Sequence, residues 1–414
     1  MSREILLGSG PLGQGIAAGS PHTPGPYYLH KDEFTTDRAA GALLGTPGEP
    51  GPWPRQGLDT GNYLAISGGK LAISGGGSTW GTSILYYPLV GRPAGQVMVA
   101  EVNFANKLFA VVGFSDNAIG LGNATHNVQF YFRDVLKFWG GGLSYNYGAY
   151  NTATSYLVAA VLRATGGFLF IKNYTGAYWT LLEILHSGTA SVDPQINSFN
   201  ANLTADYIRV PATRWLPTPL VSDGFSAWGT SDGLGHAEGI AGGLGSGGSG
   251  LTYTVTGTWG AAGGAASASA LSGGSAIAYA ETGKADVIIR ATFTRSGGDG
   301  GLLLRFADSN NFMSCRHDGT NVVLIKKVAG SNTTVRTTAT TYVAGAALTA
   351  MLEGTKVRIY YNNALVGAED TVADAALVAA TKHGLYTTNT GNTFDNLVVY
   401  ARGTGGEYAA LDAF

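Results

Sequence analysis

The 414-residue chain has a single cysteine, Cys315, so no disulfide can close within it and stability must come from packing or assembly. Charge is also scarce: Asp, Glu, Lys and Arg make up 13% of the residues, where a typical soluble domain has about a quarter. The net charge is −2 and no basic run exceeds Lys326-Lys327, which excludes the positive field that recruits nucleic acid or an anionic membrane. The seven histidines form neither an H-x-H nor an H-x-x-x-H pair, so a zinc signature is missing. No stretch approaches the roughly 20 apolar residues of a membrane span. The opening Met1 to Gly8 has only a short apolar run with Glu4 beside it and does not read as a secretory signal.

Glycine, by contrast, is abundant at 63 residues, and Thr, Ser, Asn and Tyr must build surfaces that Lys and Glu do not. That composition suits an exterior-facing β-rich protein. Without a signal sequence it points to a virion component, made in a host cytoplasm and exposed on lysis.

The chain divides around Asp206 to Phe225, whose Pro211, Pro217 and Pro219 make a stiff connector. Asp32-Glu33-Phe34 precedes one β-rich region as Asp223-Gly224-Phe225 precedes another. Phe394 to Tyr400 closes the second region much as Asp206 to Val210 closes the first. The expected plan is an extended N-terminal arm (1–31), a first domain (32–212), a joint (213–222), a second domain (223–402) and a C-terminal tail (403–414). In the arm, Ile5, Leu6, Leu7, Tyr27 and Tyr28 are apolar anchors for docking on a neighbouring subunit. At the joint, Trp215, Pro217 and Pro219 are expected to set the angle between domains.

Within both regions, runs rich in Val, Ile, Phe and Tyr alternate with Gly, Asn and Asp turns, the spacing of an antiparallel sandwich rather than of βα units. Tyr63 to Ile66 and Lys70 to Ile73 flank Ser67-Gly68-Gly69 as a hairpin. Lys356 to Tyr361 alternates most cleanly, with Val357, Ile359 and Tyr361 on one face. Thr180 to His186 rivals a helix but is too short to outweigh its β context.

The order Gly301 to Phe312, Val357 to Asn363, Gly384-Leu385-Tyr386 and Phe394 to Val399 resembles the laminin-G-like branch of the concanavalin A-like lectin/glucanase superfamily. Phe109 to Asp116, Val128 to Arg133, Phe168 to Asn173 and Phe199 to Val210 follow the same order more loosely. The resemblance implies an all-β chain of two tandem antiparallel jelly-roll sandwiches. The sequence of arm, sandwich, proline-rich joint and second sandwich is similar to phage minor structural and appendage proteins. Such a protein would join other virion proteins through its arm, assemble as a homo-oligomer and touch host glycans. The alternative is a secreted cellular carbohydrate-binding or adhesion module.

A retaining glycosidase needs two carboxylates about 5 Å apart. The glucanase branch carries them as Glu-x-Asp-x-Glu, whereas Glu101-Val102-Asn103-Phe104-Ala105 has a first acid and no second. The chain therefore reads as non-enzymatic. No cofactor is expected, although the turns Asp308 to Asn311 and His317 to Gly319 hold oxygens of the kind with which the family binds Ca²⁺ at sheet rims. Trp139, Tyr145, Tyr147 and Tyr150, set among Gly and Asn up to Tyr156, are candidates for stacking on sugar rings.

Overall fold

The computed structural model describes residues 28–47, 55–74, 83–89, 91–107, 109–116, 127–140, 143–186, 188–225 and 253–414. The first sandwich begins with β1 (Tyr28–Asp32), β2 (Gln56–Asp59), β3 (Leu64–Ser67), β4 (Lys70–Ile73) and β5 (Ser83–Tyr86). It continues with β6 (Val97–Phe104), β7 (Phe109–Ser115), β8 (Val128–Phe132), β9 (Leu136–Gly140) and β10 (Leu143–Gly148). It is completed by β11 (Tyr156–Leu162), β12 (Gly167–Lys172), β13 (Thr180–Leu185), β14 (Asp193–Phe199) and β15 (Leu203–Pro211). One sheet runs β13-β12-β11-β6-β15-β4-β3, with β1 also on β15, and its partner runs β10-β9-β8-β7-β14-β5-β2.

The second sandwich has β16 (Val221–Asp223), β17 (Thr254–Thr256), β18 (Thr258–Ala262), β19 (Ala265–Ala270) and β20 (Ala276–Glu281). Next come β21 (Val287–Thr294), β22 (Gly300–Asp308), β23 (Asn311–His317), β24 (Asn321–Val328), β25 (Ser331–Ala339) and β26 (Ala346–Glu353). It ends with β27 (Lys356–Tyr361), β28 (Ala364–Leu365), β29 (Asp370–Thr371), β30 (Lys382–Thr387) and β31 (Thr393–Ala401). One α-helix, α1 (Ala375–Val378), precedes β30. Its sheets run β18-β19-β31-β21-β26-β27-β28 and β17-β20-β30-β22-β23-β24-β25. This is the strand order of the first sandwich repeated, with β31 in the place of β15 and β22 in the place of β7. The protein is thus an all-β pair of antiparallel jelly-roll sandwiches.

The repeat extends to side chains. Phe34 and Phe225 are both fully buried, and both hold left-handed backbone, with φ of 52° and 47°. Such a conformation is costly for a bulky residue and persists only where its surroundings enforce it. Here the enforcement comes from an aspartate two residues earlier. Asp32 Oδ1 accepts the Phe34 N–H at 3.2 Å and Oδ2 the Tyr87 hydroxyl at 2.8 Å. Asp223 repeats this with the Phe225 N–H at 2.7 Å and the Tyr253 hydroxyl at 3.3 Å. The first copy adds a buried fork, Arg55 Nε and Nη2 donating to Asp32 at 2.6 and 2.7 Å.

Each sandwich has its own apolar core, and a third apolar layer joins them. Along β6, Met98, Ala100 and Val102 face inward, while Val97 and Val99 face the other sandwich. Ala159, Val161, Phe168 and Phe170 extend that outward face, which packs on Ile288, Met351 and Tyr360 of the second sandwich. The order of layers is therefore four stacked sheets, with β7 and β22 in the two outermost.

The boundaries differ from expectation at two places, the arm and the tail. Tyr28, assigned to the arm, opens β1, pairs with Pro211, and its hydroxyl donates to the Phe414 carbonyl at 3.2 Å. Ile5, Leu6, Leu7 and Tyr27 lie outside the described residues. The tail ends in a 3-10 turn, Ala409–Ala413, that covers the first sandwich: Tyr408 sits 4.8 Å from Phe170 and Trp179 Nε1 donates to Asp412 at 2.8 Å. Trp215 packs edge-on against Phe170 and Tyr408, at 5.6 and 6.3 Å. Thr180 to Leu185 is strand.

Replacing Asp32 by alanine strands the buried Arg55 guanidinium and releases the Phe34 backbone. The expected loss is about 3–5 kcal/mol in urea denaturation, whereas an unchanged midpoint would show that the fork contributes nothing.

Candidate functional site

The sugar-stacking candidates are held by protein contacts. Tyr150 is 3% exposed, edge-on to Phe104 at 5.5 Å and Phe132 at 5.4 Å, inside the first core. Tyr147 donates to the Leu182 carbonyl at 2.7 Å and to Glu183 Oε2 at 3.1 Å. Tyr145 donates to Glu369 Oε2 at 3.0 Å, across to the second sandwich. The Arg358 guanidinium lies between these last two rings, 4.4 and 4.7 Å from their centroids. Tyr360 completes the cluster by donating to Glu183 at 2.8 Å. Burial, above all, pushes the Tyr145 hydroxyl up to about 12, and burial likewise raises Glu183. The backbone of Trp139 lies in β9 opposite Gln129, and its side chain is outside the described set. Tyr145 and Tyr147, both half-buried, thus take part in the join between sandwiches, whereas Tyr150 belongs to the first core.

A different site emerges on the outer face of the sheet containing β7. Gln129, Gly113 and Gln195 sit in one cross-strand row, continued by Tyr86 and Gln56. Tyr131, Val111 and Asn197 form the adjacent row. Gln129 and Asn197 are fully buried and Gln195 is 2% exposed. Among the described residues, both amide atoms of Gln129 and of Asn197, and the carbonyl oxygen of Gln195, have no hydrogen-bond partner. A buried polar group left this way costs about 1–3 kcal/mol and calls for an explanation such as a ligand. Gly113 makes the floor between the glutamines: a Cβ there would meet the Val128 carbonyl oxygen at 2.3 Å.

The second sandwich provides an internal control. Gly301 takes the place of Gly113, and its added Cβ would meet the Cys315 oxygen at 2.0 Å. Arg316 and Tyr386 flank it where Gln129 and Gln195 stand in the first copy. There the row is closed upon itself. The Arg316 guanidinium lies 3.9 Å from the Tyr386 centroid, its Nε donates to Ser314 at 2.7 Å, and Nη1 is 3.6 Å from Asp299. Phe306, Phe312 and Ile277 fill the rest of that face. On this outer face, among the described residues, only the first copy has buried amides without a partner, so it is the candidate site here.

Sequence reasoning missed these amides. Gln129 stands in a strand that was read correctly, and its alternation with Val128 and Phe130 was the available signal. Gln195 and Asn197 lie in β14, which Pro194 and the polar residues around it disguised as loop.

Carboxylates elsewhere are mostly tied to cations. Glu353 accepts from Arg402 at 2.8 Å, and Glu369 lies 3.4 Å from Lys356. Glu101 projects from β6 between Leu157 and Tyr207. Burial first, then the negative charge of Asp206, raises it above the usual carboxylate range, against Lys70 and Arg209. Asp206 itself is held by Lys70 at 2.8 Å. At the expected rim turns, Asp308 accepts the Asn310 N–H at 2.7 Å and Asp318 the Asn321 N–H at 2.7 Å, so both shape their own turns. Among the described residues no group of three or more His, Cys, Asp or Glu side chains could hold a metal ion.

Neither a protein-family model nor a curated protein sequence matches this chain. Solved structures do resemble it. The carbohydrate-binding module CBM66 from Bacillus subtilis is 19% identical over 36% of this chain and 95% of its own, with a TM-score of 0.32. A pseudo β-1,3-glucanase of Mycobacterium tuberculosis is 11% identical over 45% of this chain and 99% of its own, with a TM-score of 0.31. A galectin of Caenorhabditis elegans is 14% identical over 28% and 84%, with a TM-score of 0.24. The fold assignment rests on the strand order and pairing given above.

If the buried amides are unpaired in the free protein, Gln129→Met, which keeps the shape and removes the unpaired groups, is expected to stabilise it by about 1–3 kcal/mol. A lower urea midpoint in that variant would mean that Gln129 has a partner within the fold.

Proposed function

We propose that this protein is a non-enzymatic glycan-binding component of a phage particle, with the Gln129–Gln195–Asn197 row as its sugar site. The carrying observation is the set of buried, unpaired amides. A sugar hydroxyl both donates and accepts, and a side-chain amide offers one donor group beside one acceptor, so the row matches vicinal hydroxyls. Tyr86 and Tyr131, near the row, supply ring surface of the kind that sugars pack against. The order of arm, sandwich, stiff joint and second sandwich supports a particle-bound role, joined to other virion proteins through the arm and assembled as a homo-oligomer.

A second reading, glycoside hydrolysis, has one observation in its favour, the raised Glu101 beside Asp206. Against it, Lys70 neutralises Asp206, and the pair lies on a different sheet from the amide row.

A glycan array is expected to show binding by the intact chain that falls at least tenfold in Asn197→Ala and in Gln195→Met, with Glu101→Gln unaffected. The same glycans should release no reducing sugar. Release that stops in Glu101→Gln would establish the hydrolase instead, and absence of the protein from purified particles by mass spectrometry would remove the virion role.

A further inference from the structure

Where the proline-rich joint crosses between the sandwiches there is a cleft of about 590 Å³, lined by Arg163, Phe168, Pro217, Pro219, Ser222 and Tyr400 among others. Its volume falls within the roughly 300–1,000 Å³ of small-molecule sites. Arg163 leaves the end of β11 with its guanidinium 5.2 Å from the Phe168 ring. Arg290 lies on the facing sheet of the second sandwich, paired with Val398, which in turn pairs with Ser222 of the cleft wall. Arg163 of the first sandwich thus lines the cleft, and Arg290 of the second lies beside it, in one cross-strand row with Ser222.

Neither forms an ion pair with a carboxylate among the described residues. Arg163 Nη1 and Arg290 Nε are buried without a hydrogen-bond partner. Among the described residues no carboxylate acts on either, and the Tyr400 phenol is the one group that favours their charge. Burial, and then the charge of Arg163, holds Arg290 down to about 10. His186, also nearby, is depressed to about 3 by burial and then by Arg290 and Arg163. Elsewhere at this junction arginines are matched, as Arg358 is by Glu183 and Arg402 by Glu353. Like charges that repel one another in a partly buried setting are relieved when an anion joins them.

We propose that this inter-sandwich cleft is an oxyanion site, in which a carboxylate, sulfate or phosphate group is held between Arg163 and Arg290. A guanidinium fork matches the paired oxygens of such groups, and the Ser222 and Tyr400 hydroxyls, with Thr165 and Thr218, are placed to serve the rest of the ligand. The oxyanion is either a free inorganic ion or the acidic group of a sugar. The site shares no residue with the amide row and does not depend on it.

The test measures thermal unfolding of the full chain at constant ionic strength in chloride, sulfate, phosphate and glucuronate, with glucose as the neutral control. Wild type should melt higher in at least one oxyanion than in chloride, and Arg163→Met and Arg290→Met should lose most of that shift. In chloride, Arg290→Met should melt no lower than wild type, because the repulsion is gone. Stabilisation by all three oxyanions identifies a general oxyanion site, and stabilisation by glucuronate alone identifies an acidic sugar. Calorimetric titration of wild type with the same anions provides the arm that does not rely on variants folding, with tenfold weaker binding expected in Arg163→Met where it folds. No oxyanion effect on wild type, or equal shifts in wild type and variants, overturns the proposal.

Discussion

The structure depends on two sheets that are apolar on both faces. In an ordinary sandwich a strand alternates inward apolar with outward polar residues. Val97 to Ala100 and Val158 to Leu162 do not alternate, because one set of side chains fills a core and the other meets the second sandwich. Two free domains could not leave Val99, Val161, Phe170, Ile288 and Met351 in water. The joint is therefore a short crossing over an interface that the sheets themselves make, and the sandwiches form one four-layered body. At the rim of that interface Tyr147 and Tyr360 both donate to Glu183, Tyr360 from the other sandwich, and Arg358 lies 3.7 Å from the same carboxylate, so these groups fix its register.

Stacking one sheet of each sandwich leaves the other sheet of each facing away. Duplication has given those two faces the same skeleton, down to the glycines at Gly113 and Gly301. Their side chains have diverged: Arg316, Asp299, Ser314 and Tyr386 close one face, whereas Gln129, Gln195 and Asn197 leave the other with unanswered hydrogen-bonding groups. A shared fold with unequal chemistry separates what the scaffold requires from what a ligand would require. The same reasoning applies at the junction, where matched arginines stand beside two that are not.

Much of the fold was legible because it was written twice. Asp32 and Phe34 echo Asp223 and Phe225, and the strand ending each copy has a recognisable run, so the duplicated sandwich could be read without a partner sequence. Among the strands that escaped notice are two poor in β-branched and aromatic residues: Thr258 to Ala270 is mostly Ala, Gly and Ser, and Asp193 to Phe199 has proline second and carries Gln, Asn and Ser. Their strand character comes from neighbours on both sides, which is a tertiary effect. The candidate site was less legible still. Tyr145 and Tyr147 have the local setting of a sugar platform, and nothing local reveals that Glu183, Arg358 and Glu369 will meet them. Gln129 and Gln195 come together only through the pairing of each with Gly113.

The tail that lies across the first sandwich has a bearing on how the chain folds. Tyr28 and Phe414 are joined by a hydrogen bond spanning 386 residues, and Arg209 reaches the same carbonyl. Phe170 and Trp179 stay uncovered until Tyr408 and Asp412 have been made. During synthesis the first sandwich must wait with an apolar sheet exposed while the whole second sandwich emerges and folds. Long-range closure of this kind is slow to form and leaves apolar surface exposed in the meantime.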